Sequence, residues 1–209
     1  MKLQKVTSCC ANCGKESEQT VILGVSSFGE PDLDLRPAPQ ERLALKYQVQ
    51  ECPHCHYCNY DIEEKIAKIV FSEEYNTVLS DSCLEEIPKR FYLMGILARD
   101  NADYMSAGQS FLNAAWYYDD ISDTQKAKEA RVLAAENLSK HVLKNNDGNA
   151  GIILLDIFRR IGEKREALGL INWLSAIDDE EAHLIIDFQK ALLEKGDETV
   201  HNLGEVFDD

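Results

Sequence analysis

The chain has 209 residues, a formal net charge of −15 and seven cysteines, with hydrophobic residues making up 44%. This length permits one or two domains around a real core, and no run approaches the roughly 20 apolar residues of a membrane span or resembles a secretory signal. The expected location is therefore the cytoplasm, where seven thiols argue for metal binding over a disulfide scaffold. Residues 1–60 carry six basic and seven acidic side chains, and residues 61–209 carry 16 and 30. Nucleic-acid affinity rests on neutralising phosphates, so the whole chain is expected to repel a duplex. A local patch from Lys2, Lys5, Lys15, Arg36, Arg42 and Lys46 stays open.

The first motif is Cys10-Ala-Asn-Cys13-Gly14, and its counterpart, Cys52-Pro53-His54-Cys55-His56, follows after 38 intervening residues. Each Cys-x-x-Cys turn offers two thiolates, and two turns complete a tetrahedral zinc site. The predicted ligands of one structural zinc ion are Cys10, Cys13, Cys52 and Cys55, with Cys9, Cys58, His54 and His56 as possible substitutes. Four thiolates leave no open position for a substrate, so the metal is expected to replace a core too small to fold alone. Gly14 suits a left-handed backbone position; His56 stands at the equivalent place and adopts that conformation less easily.

Between the cysteine pairs, residues 20–25 and 44–50 have strand-like content, with Tyr47-Gln48-Val49-Gln50 alternating into Cys52. Residues 28–39 hold three prolines and a glycine and predict an extended loop. Asp32, Asp34 and Arg36 within it are expected to orient the loop by local hydrogen bonds, or else to make it a recognition loop.

After the second pair the pattern becomes helical. Asp61 and Glu64 suggest a capped short helix, and another is expected near 72–79. Pro88 then opens an array with helices over 89–99, 102–118, 123–143, 150–161, 164–176 and 180–194. Asn145-Asn146-Asp147-Gly148 breaks it once, Gly162 ends a helix as a C-terminal cap, and Asp178 and Asp179 precede the last helix. Gly95 with Ala107, and Leu155 with Ala167, fall where a tetratricopeptide repeat places the residues at its helix crossing, although the two units are about 60 residues apart instead of 34.

The fold class read from this is α+β, mostly α: a zinc-ribbon β module (1–60), a short helical connector (61–87), a tetratricopeptide-like helical domain (88–195) and an acidic, mobile tail (196–209) in which Leu203, Val206 and Phe207 are candidates for docking. Cys83 reads as a buried small hydrophobe. Trp116-Tyr117-Tyr118 reads as core packing with a polar rim, and His141, His183 and His201 as surface or partial core. Glu63/Glu64, Glu73/Glu74 and Glu85/Glu86 read as solvated helix ends. Phosphate-loop, dinucleotide, zinc-protease and nucleophile-elbow motifs are absent, and no residue is nominated as catalytic.

The stretches Cys10-Ala-Asn-Cys13-Gly14, Leu33-Asp34-Leu35-Arg36-Pro37, Val49-Gln50-Glu51-Cys52-Pro53-His54-Cys55 and the helix 107–116 resemble an uncharacterised prokaryotic family of zinc-ribbon proteins with a tetratricopeptide-like C-terminal region, itself a domain of unknown function. The family's second knuckle usually reads Cys-Pro-x-Cys-Gly-Tyr, from which His56 departs. The resulting expectation is a non-enzymatic interaction protein whose acidic helical groove takes a protein or peptide, basic or amphipathic. Alternatives are a ribbon that reads nucleic acid through Arg36, Arg42 and Lys46, and a thiol or zinc redox sensor using Cys9 and Cys58.

Overall fold

The computed structural model describes residues 1–207; Asp208 and Asp209 of the expected tail lie outside the described residues. Strands β1 (Lys2–Cys9) and β2 (Glu16–Gly24) form an antiparallel hairpin around the first cysteine pair. Strands β3 (Gln50–Glu51) and β4 (Cys58–Asn59) do the same around the second. The expected strand at 44–50 does not form. Leu45–Tyr47 is a 3-10 turn, and only Gln50 enters a strand. The alternation is present, but β1 pairs with β2 and leaves this segment no partner. Leu45 and Val49 turn inward to the core instead.

Helices follow as α1 (Pro39–Arg42), α2 (Glu73–Ser80), α3 (Glu86–Asp100), α4 (Tyr104–Asp120), α5 (Thr124–Asn145), α6 (Gly148–Ile161), α7 (Lys164–Leu174), α8 (Glu180–Lys195) and α9 (Gly204–Phe207). The helix expected at Asp61 is a turn. The Asp61 carboxylate accepts the Glu63 amide, and Ala11 and Tyr57 hold the carbonyls of Ile62 and Glu64. These partners are incompatible with a helical ladder there.

Three interhelical turns share one device. Ala102, Ser122 and Asn146 take φ of 59°, 61° and 54°. The Asp that follows each one caps the next helix, with Asp103 accepting from Ser106, Asp123 from Lys126 and Asp147 from Ala150. Reversals this short make consecutive helices antiparallel neighbours. Gly95 admits the Phe111 ring, which would lie 2.8 Å from an added Cβ, and Ala107 in the next helix is fully buried.

One buried apolar cluster runs from Cys10, Cys52, Tyr57 and Ile62 through Phe91 and Phe111 to Ile161. This cluster takes residues from both sides of positions 60 and 87. The loop at 31–37 adds a polar tie. Asp34, with no exposed surface, accepts from Trp116 Nε1 at 3.1 Å, Arg131 at 3.0 Å and Arg160 at 3.2 Å. Arg131 and Arg160 also grip Asp119. Arg36 meets Asp32 at 2.6 Å and Asp119 at 3.4 Å. The Asp32, Asp34 and Arg36 contacts are thus long-range as well as local.

The segment after α8, expected to be mobile, runs back along the other side of this loop. Leu33 donates to His201, Leu203 donates to Pro31, and Asp32 bridges Asn202. Arg159, itself paired with Asp156, donates to the Asp197 and Thr199 carbonyls.

Burial alone would raise the Asp34 carboxyl, but Arg131 and Arg160 more than offset it and hold the group below the usual carboxylate range. A depressed acid stabilises the fold above its unfolded value and loses that contribution as pH falls through its folded value. Asp34→Ala, which leaves Arg131 and Arg160 short of a counter-charge, is expected to cost about 3–5 kcal/mol in urea unfolding at neutral pH. The gap to the unmodified chain narrows in acid. Lys5→Ala, which breaks the exposed Lys5–Glu18 pair, is expected to change stability by less than about 1 kcal/mol.

Candidate metal centre

The two cysteine turns are built alike. In the first, the Cys10 amide donates to Lys15 O (3.0 Å) and the Gly14 amide to Cys10 O (2.8 Å). In the second, the Cys52 amide donates to Tyr57 O (2.9 Å) and the His56 amide to Cys52 O (2.8 Å). Gly14 has φ of 70° and His56 of 60°. A histidine thus takes the left-handed position that glycine occupies in the first turn. Its side chain contributes a 2.8 Å contact from Nδ1 to Glu51, and Glu51 also meets Arg90.

The turns face each other. Cys10 Sγ lies 3.7 Å from Cys55 Sγ, and Cys13 Sγ lies 3.7 Å from Cys52 Sγ. All four sulfurs fall within 4.8 Å of one another, and among the described residues no other group of His, Cys, Asp or Glu converges in this way. A tetrahedron with metal–sulfur bonds of about 2.3 Å has edges of about 3.8 Å. The four residues therefore fit a thiolate-bound ion. Burial pushes the Cys10 thiol up to about 12, whereas the Lys15 amide holds Cys13 at about 7. Asn12 Nδ2 approaches Cys55 Sγ at 3.4 Å, a donor suited to a negative sulfur.

The surplus candidates lie outside the cluster. Cys9 Sγ points to Gly14 O, and buried Cys58 points to His56 O. His54 contacts Glu16 O. Burial also raises the Cys58 thiol well above its ordinary value, which suppresses the thiolate a redox sensor would need.

Other sequence expectations change on contact with the structure. Arg36 is buried, and both Arg36 and Arg42 face Asp32 and Asp120, so their guanidinium groups are not offered to a phosphate backbone. Cys83 is exposed, not buried, because it sits in the irregular stretch between α2 and α3. Trp116 is core, as expected, but its indole N–H serves Asp34. Glu85, expected to be solvated, accepts from Lys126 and Tyr118. The convergence of Asp34, Asp119, Arg131 and Arg160 is not legible in the sequence. Their separation along the chain leaves no spacing to read, and only the loop carboxylate beside a proline-rich turn gave a signal.

A second feature is a cleft of about 380 Å³ between α2, α3, α4 and α5. Tyr92, Phe111 and Tyr118 line it, with Glu74, Asp81 and Glu129 among its acids. Lys126 Nζ stands 5.2 Å over the Tyr118 ring and pairs with Glu85.

Among the described residues, no helix is long and apolar enough to cross a membrane. No family model matches the chain, and neither do the curated proteins or the solved structures. The family resemblance rests on the motif stretches alone.

Metal content per chain checks the ligand assignment. Cys9→Ser and Cys58→Ala are expected to keep the metal, whereas Cys10→Ser or Cys52→Ser is expected to lose it along with the fold of both turns. His56→Gly removes a left-handed non-glycine residue, which costs about 1 kcal/mol. It is expected to retain the metal and to melt no lower than the unmodified chain.

Proposed function

We propose that Cys10, Cys13, Cys52 and Cys55 hold one structural zinc ion, and that the protein is a non-enzymatic cytoplasmic interaction module. The observation that carries the metal assignment is the pair of 3.7 Å sulfur–sulfur edges, which suits a small tetrahedral d¹⁰ ion. Four thiolates saturate such an ion, so its contribution is to tie the two turns together. The test is metal analysis after anaerobic purification without a metal-binding tag. One zinc per chain, released only under strong chelation with unfolding of the turns, supports this reading. Iron with visible absorbance, or no metal, contradicts it.

The partner reading rests on charge and aromatic surface. Residues 61–209 carry most of the −15 charge, and the cleft at Tyr92, Phe111 and Tyr118 places carboxylates around aromatic faces. Cations bind such surfaces through ring quadrupoles and carboxylates together, and Lys126 over Tyr118 is an internal example. The ligand class proposed is a basic or amphipathic peptide, taken by a tetratricopeptide-like helical stack.

Cys83 lines the same cleft and is exposed, which supplies a reporter. In a Cys9→Ser background, a Lys-rich amphipathic peptide is expected to slow alkylation of Cys83. Raised salt or Glu129→Lys should reverse that protection. Binding that ignores salt and leaves Cys83 labelling unchanged would remove this cleft as the site.

A further inference from the structure

The cleft at Tyr92, Phe111 and Tyr118 already holds a cation of its own. Among the described residues that line it, Lys126 is the only basic side chain, against Glu74, Asp81 and Glu129. Lys126 Nζ lies 5.2 Å from the centroid of the Tyr118 ring, and 3.0 Å and 3.2 Å from the two carboxylate oxygens of Glu85. An ammonium set between a ring face and a carboxylate is the arrangement that recognises a cationic side chain.

The ring and the carboxylate are held in place without Lys126. Tyr118 has no exposed surface, and its hydroxyl donates to the same Glu85 carboxylate at 3.2 Å. Glu85 stands at the N-cap position of α3. Lys126 is the loose member of the group. It is the third residue of α5, where the positive end of the helix dipole disfavours a cation. Its side chain is 37% exposed, and its other carboxylate, Asp123, lies 3.8 Å away. Ion pairs this open contribute little, and the four-carbon stem is flexible. Once displaced, Lys126 is three residues from Glu129 on the same helix, a spacing at which two side chains meet.

We infer, resting on the reading of this cleft as a basic-peptide site, that Lys126 is its resident occupant and that a lysine side chain of the ligand displaces it from Tyr118 and Glu85. The contact is autoinhibitory. The ligand gains one ammonium position only by removing the ammonium already there, so the free cleft binds more weakly than its aromatic and acidic lining would allow.

Titration calorimetry of a Lys-rich amphipathic peptide into the full chain and into Lys126→Met tests this at low salt. Methionine keeps an unbranched stem of similar helix propensity without the charge. The variant is expected to bind about threefold to tenfold more tightly, the worth of one cation–ring contact. Lys128→Met removes the same charge from α5 outside the cleft lining, and is expected to change the affinity far less. A second readout uses the unmodified chain. The Lys126 Cε protons, shielded by the Tyr118 ring in the free protein, should lose that NMR shift when the peptide binds. If the peptide protects Cys83 but leaves the Lys126 shift in place, and Lys126→Met binds no tighter than Lys128→Met, the cleft reading stands and the displacement is overturned. If neither the unmodified chain nor Lys126→Met binds the peptide, the cleft reading falls and this inference falls with it.

Discussion

A carboxylate with no exposed surface, Asp34, sits where the N-terminal loop enters the helical stack and takes donors from α4, α5 and α6 at once. Removing a carboxylate from water is costly, and only close partners with good geometry offset it. Trp116, Arg131 and Arg160 supply them, and Asp119 balances the second guanidinium charge. The arrangement fixes register more than it adds stability, because a shift of the loop would leave buried charges of both signs unpaired. It also explains why Leu35, at φ of 62°, sits in a left-handed conformation without being glycine. The residues on either side of it are pinned, Asp34 by α4–α6 and Arg36 by Asp32 and Asp119.

The four-cysteine cluster and this loop divide the work of holding the N-terminal region in place. Four sulfurs close the two short hairpins on each other, and those hairpins are too small to bury a core of their own. Cys10, Cys52, Tyr57 and Ile62 instead extend the core of the helices. The chain between the hairpins passes over α4–α6, and residues 197–203 close over it from the far side. A continuous apolar cluster, a charged clasp and the four-cysteine site therefore act on overlapping residues. Disturbing one is expected to be felt in the others.

Much of this was legible in the sequence where the signal is local. The cysteine spacing marked the four cysteines whose sulfurs converge, and His56 was identified as the residue that must take the place of Gly14. The helices at 89–99, 102–118, 123–143 and 180–194 fall within a few residues of α3, α4, α5 and α8, because apolar periodicity and Asp caps are written in adjacent positions. What failed depends on distant partners. The alternation at 47–50 promised a strand, but strand formation needs a neighbour, and β1 had claimed β2. Arg36 and Arg42 looked free for nucleic acid because their carboxylate partners include residues 119 and 120, far along the chain. Cys83 was taken as buried on the average behaviour of cysteine, yet its place between α2 and α3 puts it at the exposed wall of a cleft.

The coupling of loop to stack is most directly tested by native-state hydrogen exchange on the metal-loaded chain, comparing the unmodified protein with Asp34→Asn. If the buried carboxylate joins the two regions, exchange accelerates together in residues 31–37 and in the amides of α5 and α6 around Arg131 and Arg160, while the metal stays bound. Acceleration confined to residues 31–37, with α5 and α6 as protected as before, would contradict the account and reduce the Asp34 contacts to a surface tether.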